Sequence, residues 1–348
     1  MNFASDNVFG IHPRIIEALN TANAGTAVSY GGDDWTRRAE LRLSEVFERD
    51  VTAFLVVTGT AANALALSTM APSYGAVLCH ADAHVMVDEC GAPELFTGGA
   101  KLIGLNEPGG KITAKTIERT LDGFIRGEHD AKPAAISITQ ASEFGTVYSP
   151  SEIKSISEVA RGRKMRLHMD GARFANALVS LAATPAELTW KAGVDAMSFG
   201  ATKNGAMALE AVIFFDSELA EDFTYRRMRA GQLLSKGRFL GAQMLAYLDG
   251  DLWLDNARYA NAMAQRLAKG LAGAAKVRLP LPTQANEVFA IIPQSLHGEL
   301  AAAGVVYHQW PGEGPGTDRV GPGEILVRFV TSYLTHPDDV DRLIERMG

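Results

Sequence analysis

The sequence predicts an α/β fold: a mostly parallel central sheet with helices on both faces, followed by a smaller C-terminal α+β domain. Three observations carry this. Compact apolar runs alternate with helical segments through the middle of the chain, as buried parallel strands joined by crossover helices do. Capping signatures mark two helix starts in that region. After about residue 240 the alternation gives way to long helical periodicity and then to three further strand-like runs.

In chain order, AFLVV (53–57) is the first strand, and a helix follows from Ala61 to Met70. AVLCH (76–80), KLIGL (101–105) and AAISIT (134–139) are strands of the buried type. Between the last two, TAKTIERTLDGFI (113–125) sets Ile117, Leu121 and Ile125 at helical spacing. Ser149-Pro150-Ser151-Glu152 and Thr184-Pro185-Ala186-Glu187 each offer a capping hydroxyl, a proline at the first helical position and a glutamate three residues on, so each predicts a helix start. RLHMD (166–170), DAMSF (195–199) and LEAVIFF (209–215) supply further strands. Helical periodicity then runs through MLAYLDGDLWLDNARYANAMAQRLAKGLAG. EVFAIIP (287–293), VVYHQW (305–310), EILVRFV (324–330) and a helix from His336 complete the chain. No repeat, low-complexity tract or Gly/Ser linker intervenes. A large domain with an N-terminal arm (1–240) and a small domain (241–348) are expected to pack tightly.

Bulk properties exclude several classes. Across 348 residues, 47% are hydrophobic and 21% charged, which suits a globular protein with a substantial core. Net charge is −7, from 33 basic against 40 acidic residues, so there is no electrostatic footprint for nucleic acid. One local basic cluster, YRRMRAGQLLSKGR (225–238), leaves an anion site open. Cys79 and Cys90 are too few for a disulfide framework, and a reducing compartment follows. The N-terminus lacks the basic start and apolar run of a signal peptide. Between Asp50 and Asp82 no acidic or basic residue appears except His80, yet Thr58, Asn63, Ser68 and Pro72 interrupt the run. It therefore reads as a buried strand–loop–helix rather than a membrane span. The expected location is the cytoplasm.

Three motifs carry chemistry. TGTAAN (58–63) follows a strand and opens a helix, where free N–H groups and the helix dipole suit a phosphate; it matches neither a Walker sequence nor a dinucleotide fingerprint. HMDGAR (168–173) puts Asp170 at a strand's carboxyl end, either facing a ligand or capping a helix that begins near Ala172. GATKNG (200–205) holds Lys203, the one charge between Ala196 and Leu209. It is either a solvated loop lysine or a nucleophile whose apolar setting favours the free amine. Together a phosphate-holding helix start, an acid for a pyridinium nitrogen and a reactive lysine are a protein's equipment for pyridoxal phosphate. Small Gly200 and Gly205 would leave room for that cofactor beside the amine.

These segments, with FASDN (3–7), YGGDDWT (30–36), AHVMVDECGAPE (83–94) and ELTWKAG (187–193), resemble the L-threonine aldolase family of fold-type-I pyridoxal-phosphate enzymes, in order and over nearly the whole chain. The resemblance implies a pyridoxal-phosphate lyase in which Lys203 holds the cofactor and Asp170 meets its ring nitrogen. Gly59, Thr60 and Thr202 cradle the phosphate, and His84 stacks on the ring. Arg173 contacts the ring hydroxyl or the substrate carboxylate, while Ser5 and Arg328 hold that carboxylate. Arg238 reaches a phosphate across a subunit boundary, and Tyr30 sits at the site's edge. A homotetramer built from dimers, with active sites at subunit boundaries, is implied as well. One departure stands out. Many members carry a Thr-His-Asn segment where this chain has TQASEFG (139–145), with Glu143 near the missing histidine.

The expected reaction cleaves L-β-hydroxy-α-amino acids to glycine and an aldehyde. His84 is the candidate base for the β-hydroxyl and Glu143 the reserve. A β-eliminating lyase or aminotransferase on the same scaffold is the alternative. A non-enzymatic relative would have no need of Lys203, Asp170 and Arg328 together, and a Rossmann protein lacks its glycine fingerprint. His80, His84, Cys79 and Cys90 lack paired zinc spacing, so no metal is expected. Arg328, in an apolar strand, requires an anionic partner: a substrate carboxylate or a structural Asp/Glu.

Overall fold

The computed structural model describes residues 1–310 and 319–348. Its main sheet comprises β1 (Thr52–Val56), β2 (Gly75–His80), β3 (Lys101–Leu105), β4 (Lys132–Thr139), β5 (Arg166–Gly171), β6 (Ala196–Gly200) and β7 (Glu210–Phe214). The spatial order is β1-β7-β6-β5-β4-β2-β3. Only β7 runs against its neighbours, β1 and β6; the other pairs are parallel. Every residue of β2, β6 and β7 is buried, as strands covered on both faces require. The carboxyl ends of β2, β4, β5 and β6 thus share one edge. Glu210, first in β7, pairs with Gly200, last in β6, and stands on that same edge.

The charge-free stretch after Asp50 has a clear cause. Helix Gly59–Met70 buries nine of its twelve residues, so it is apolar on nearly every side. Thr58 caps it, its hydroxyl accepting from the Ala61 N–H at 3.1 Å. Helix Pro150–Gly162 begins with the expected capping box, both bonds formed.

At Thr184 the same box forms but the expected helix does not. The Thr184 N–H donates to Glu187 (2.9 Å) and the Glu187 N–H to the Thr184 hydroxyl (3.2 Å). Turns then lead only to a 3-10 turn, Trp190–Ala192, which Gly193 ends at φ 98. The run before that glycine is too short to offset helix nucleation. The Trp190 indole N–H, donating to the Phe47 carbonyl at 2.7 Å, fixes the chain in its turn.

Beyond residue 240 the helical stretch is broken in two, Arg238–Leu248 and Leu252–Leu271, by Asp249-Gly250-Asp251, where Gly250 and Asp251 take left-handed backbone. A second, antiparallel sheet contains β8 (Glu287–Pro293), β9 (His308–Gln309) and β10 (Glu324–Val330), in the order β8-β10-β9. VVYHQW contributes only its His308 and Gln309 as strand. The sheet shares an apolar core with Leu252–Leu271 and Pro337–Met347.

The N-terminal arm joins this second sheet. The Phe3 N–H donates to the Val306 carbonyl (2.7 Å) and the Val330 N–H to the Phe3 carbonyl (2.8 Å). Phe3 itself is fully buried. Pinning the arm there brings Asp6, three residues on, to the carboxyl edge of the main sheet. Among the described residues no helix is long and apolar enough to cross a membrane.

Candidate active site

Asp170 ends β5 opposite Thr139 of β4 and Ser198 of β6. It is buried, and of its two expected roles the capping one is met in part. One carboxylate oxygen accepts from the Ala172 N–H at 2.9 Å, although the helix starts later, at Phe174. The other accepts from the Asn63 amide at 2.7 Å. Lys203 lies half-buried in the 3-10 turn Thr202–Asn204 after β6, against the turn Asp6–Val8. The Thr202 hydroxyl is engaged with the backbone of Leu209, accepting from its N–H (3.0 Å) and donating to its carbonyl (3.2 Å).

Gly200 and Gly205 do not simply leave room for a cofactor. A Cβ on Gly200 would lie 2.6 Å from the Ala172 carbonyl oxygen, so this glycine lets two backbones approach. Gly205 has φ +114 and would put a Cβ 3.0 Å from the Asn256 amide nitrogen, so its cause is conformational. Gly59 does face open space, with nothing within 4 Å of an added Cβ, at the start of a twelve-residue helix beside Thr60.

A chain of hydrogen bonds connects His84 to Asp170. His84 Nδ1 is 2.8 Å from Glu89, and the Asn63 amide nitrogen donates both to Glu89 (2.8 Å) and to Asp170 (2.7 Å). The bond to Glu89 holds the His84 pKa above the ordinary imidazole value, against the opposing effect of burial. Pairing Nδ1–H with Glu89 leaves Nε2 for other work; among the described residues the nearest acid to it is Asp88, at 3.7 Å. Glu143 approaches the same place from the 139–145 loop. One of its oxygens accepts from the His84 N–H (2.8 Å) and the Thr139 hydroxyl (2.9 Å). The other is buried without a partner among the described residues, and burial pushes this carboxyl up to about 7.

Two arginines form a second cluster. Arg173 is buried and donates to Asp6 through Nε (2.8 Å) and a terminal nitrogen (3.1 Å). Asn286 also donates to Asp6, at 3.1 Å. Arg328 pairs with Glu287 at 3.3 Å and lies 4.6 Å from the centroid of the Trp310 ring. Of the two partners the sequence left open for Arg328, the structure supplies an acid. Ser5 caps the Asp6 turn, its hydroxyl accepting from the Asn7 N–H at 3.1 Å.

Tyr30 and Arg238 lie elsewhere. Tyr30 is exposed, with φ 58, and its N–H donates to the Ser235 carbonyl (3.0 Å). Arg238 donates to the carbonyls of Ala24 (3.5 Å) and Gly25 (3.2 Å). No hydrogen bond or ion pair among the described residues ties either to Lys203. A polar pocket of about 310 Å³, bounded by Arg49, Trp190, Asp195 and Asp216, opens at the opposite edge of the sheet and holds none of these groups. Among the described residues no group of three or more His, Cys, Asp or Glu is placed to hold a metal.

Several site residues were not singled out from the sequence: Asp6, Asn63, Glu89, Asn286, Glu287 and Glu210. Glu210 accepts from the Ala201 N–H at 3.3 Å, and burial lifts its carboxyl to about 7 beside Lys203. Of eight buried side-chain atoms without a partner among the described residues, six belong to Asn63, Glu89, Glu143, Asn286, Glu287 and Arg328. Orphaned polar atoms are rare in folded proteins, and six of them here belong to residues around His84, Asp170 and Arg328, where a ligand would find partners. The donor set fits pyridoxal phosphate: an amine, a buried acid at a strand end, an imidazole and a helix start with open space above its glycine.

A mostly parallel seven-stranded sheet with this lysine and aspartate on its carboxyl edge defines the class, that of the fold-type-I pyridoxal-phosphate enzymes. The comparisons narrow it. A structure of Leishmania major threonine aldolase superposes with a TM-score of 0.92 at 28% identity, covering 99% of this chain and 98% of that one. The low specificity L-threonine aldolase of Pseudomonas aeruginosa is 46% identical over 343 residues, 99% of this chain and 95% of its own length. That of a Pseudomonas sp. is 46% identical over 312 residues, 90% of each. The beta-eliminating lyase family model matches residues 2–294. The chain belongs to this family of lyases, among the low-specificity L-threonine aldolases.

Proposed function

We propose that the protein is a pyridoxal-phosphate-dependent aldolase that cleaves L-threonine, L-allo-threonine and aryl analogues such as phenylserine to glycine and an aldehyde. What supports this most is the closeness of His84 to both Asp170 and Lys203, beside a group of unpartnered polar atoms that includes Arg328. Lys203 would hold the cofactor, Asp170 its ring nitrogen, His84 its ring face, and Gly59, Thr60 and Thr202 its phosphate. When bound, the cofactor supplies an electron sink for the pair released from the Cα–Cβ bond.

The chain's own residues do the rest. Arg328, with a spare buried donor, takes the substrate carboxylate, helped by Ser5 from the arm. Arg173 gives two donors to Asp6 and so acts from a fixed position. Holding the carboxylate fixes the orientation of the Cα–Cβ bond, which is the entropic part of catalysis. Neutral His84, its Nδ1–H directed at Glu89, accepts the β-hydroxyl proton at Nε2; Glu143 is the alternative acceptor.

With L-threonine and added pyridoxal phosphate, the protein is expected to release glycine and acetaldehyde in equal amounts. Ammonia with a keto acid, or a keto acid with transfer of the amino group, would instead establish the eliminating or transaminating alternative.

His84→Asn is expected to lower kcat by about 10²–10⁴-fold with the cofactor retained, and Glu143→Gln by less than about tenfold. The reverse ranking, with an activity limb near pH 7 that disappears in Glu143→Gln, would move the role to Glu143. Glu89→Gln removes the bond that holds the His84 pKa up. The acidic limb of kcat/KM, where His84 loses its proton, is therefore expected at lower pH. A limb that stays in place would show that another group titrates.

Assembly and location belong to the same proposal. Tyr30 and Arg238 complete the site from a second copy, within a homotetramer. Exposed Val28, Tyr30 and Met207, and an apolar pocket of about 410 Å³ bounded by Leu19, Val57, Leu234 and Phe239, support an interface there. A domain boundary near residue 240 and a cytoplasmic location complete the reading.

A further inference from the structure

The Arg328–Glu287 pair is unfinished on both sides. Arg328 approaches Glu287 through one nitrogen, at 3.3 Å, not through the two-pronged fork that guanidinium and carboxylate prefer. Its Nε is buried without a partner among the described residues, and so is the second oxygen of Glu287. Arg173 does not complete the set, because it is bonded to Asp6 and stands 3.5 Å from the same Glu287 oxygen. Among the described residues, Arg173 and Arg328 are balanced by Asp6 and Glu287 before any substrate arrives.

Glu287 is also held in place. It opens β8 opposite Val330, and its side chain is fully buried. Gly145, from the loop that carries Glu143, backs directly against it: an added Cβ there would lie 3.0 Å from the Glu287 Cβ. Among the described residues, Arg328 from β10 and Arg173 from the segment after β5 face Glu287, and Asp6 from the arm and Glu143 from that loop act on Arg173 in turn.

We infer that Glu287 is a resident counter-ion that competes with the substrate carboxylate for Arg328 and so sets how tightly the site takes amino acids. This deepens the reading above and rests on Arg328 as the carboxylate-binding group. A carboxylate arriving at Arg328 meets a fixed negative charge in a low-dielectric pocket, where like charges repel strongly. Simple carboxylates are excluded by that repulsion. An α-amino acid, anchored also through its amine near Lys203, overcomes it. Glu287 is thus a specificity-determining residue, acting through Arg328.

The test compares protein loaded with pyridoxal phosphate as wild type, Glu287→Gln and the double variant Glu287→Gln/Arg328→Met. Glycine affinity is read from the change in cofactor absorbance, and acetate binding from Tm. Removing one partner of a buried pair leaves the other charge uncompensated, so Glu287→Gln is expected to bind glycine about tenfold more tightly. Acetate should raise the Tm of Glu287→Gln and leave the wild type unmoved, and Arg328→Met should cancel both effects. Equal or weaker glycine binding by a folded Glu287→Gln overturns the proposal. If that variant does not fold, Glu287→Asp withdraws the charge by one methylene; it too should bind glycine more tightly, and unchanged or weaker binding overturns the proposal. Acetate binding requires no bond cleavage. Failure to cleave threonine would refute the proposed function, while acetate stabilisation confined to Glu287→Gln would still support the counter-ion.

Discussion

Lys203→Ala is expected to abolish cleavage, with turnover falling by on the order of 10⁴-fold or more, because a nucleophile has no substitute within its own machinery. The visible band of the cofactor-loaded protein should disappear in the same variant. The fold should survive: Lys203 is half-buried in a 3-10 turn, and the turn is held by other residues. Asn204 anchors it, donating to the Tyr247 hydroxyl (2.9 Å) and the Trp253 carbonyl (2.8 Å). Cooperative thermal unfolding of the cofactor-free variant, lowered only through the lost charge near Asp6, beside lost activity, checks both halves.

Arg173→Met is expected to have the largest effect on stability, about 3–5 kcal/mol, read from denaturant midpoints. Asp6 would remain buried without the charge that compensates it. Asp6 then reports on pH as well. Burial pushes its carboxyl up, but Arg173, Lys203 and Asn286 together hold it below the ordinary value of 3.8. A depressed carboxyl contributes stability that is present above its unfolded pKa and lost as pH falls through its folded pKa. The wild type should therefore lose stability in the acid region below the ordinary value, and Asp6→Asn should flatten that slope. Pairing Arg173→Met with Asp6→Leu should recover much of the loss, since an apolar pair leaves no charge stranded.

Much of this was legible in the sequence, for physical reasons that differ by element. Short apolar runs announce strands, and KLIGL, EVFAIIP and EILVRFV fall on β3, β8 and β10 residue for residue, although β3, expected to be buried, is an edge strand with Lys101 exposed and only Leu102 and Leu105 buried. Lys203 was conspicuous because a charge in a neutral stretch demands a cause. The same reasoning, turned on Glu287 in EVFAIIP and Glu210 in LEAVIFF, would have marked two more buried charges, and Glu287 is the acid that Arg328 needed. Asp6, Asn63 and Glu89 lay inside segments already quoted, next to or near residues that had been given a role. Their importance comes from partners 167, 107 and 26 positions away, which no local pattern displays. The helix expected after Thr184 failed differently: its cap was real, but a cap specifies a beginning and Gly193 came too soon.

Borohydride reduction of the pyridoxal-phosphate-loaded protein, followed by peptide mapping, shows which lysine holds the cofactor. The cofactor mass is expected on the peptide containing Lys203 and on no other lysine. Label on a different lysine, or none on a protein supplied with excess cofactor, would contradict it.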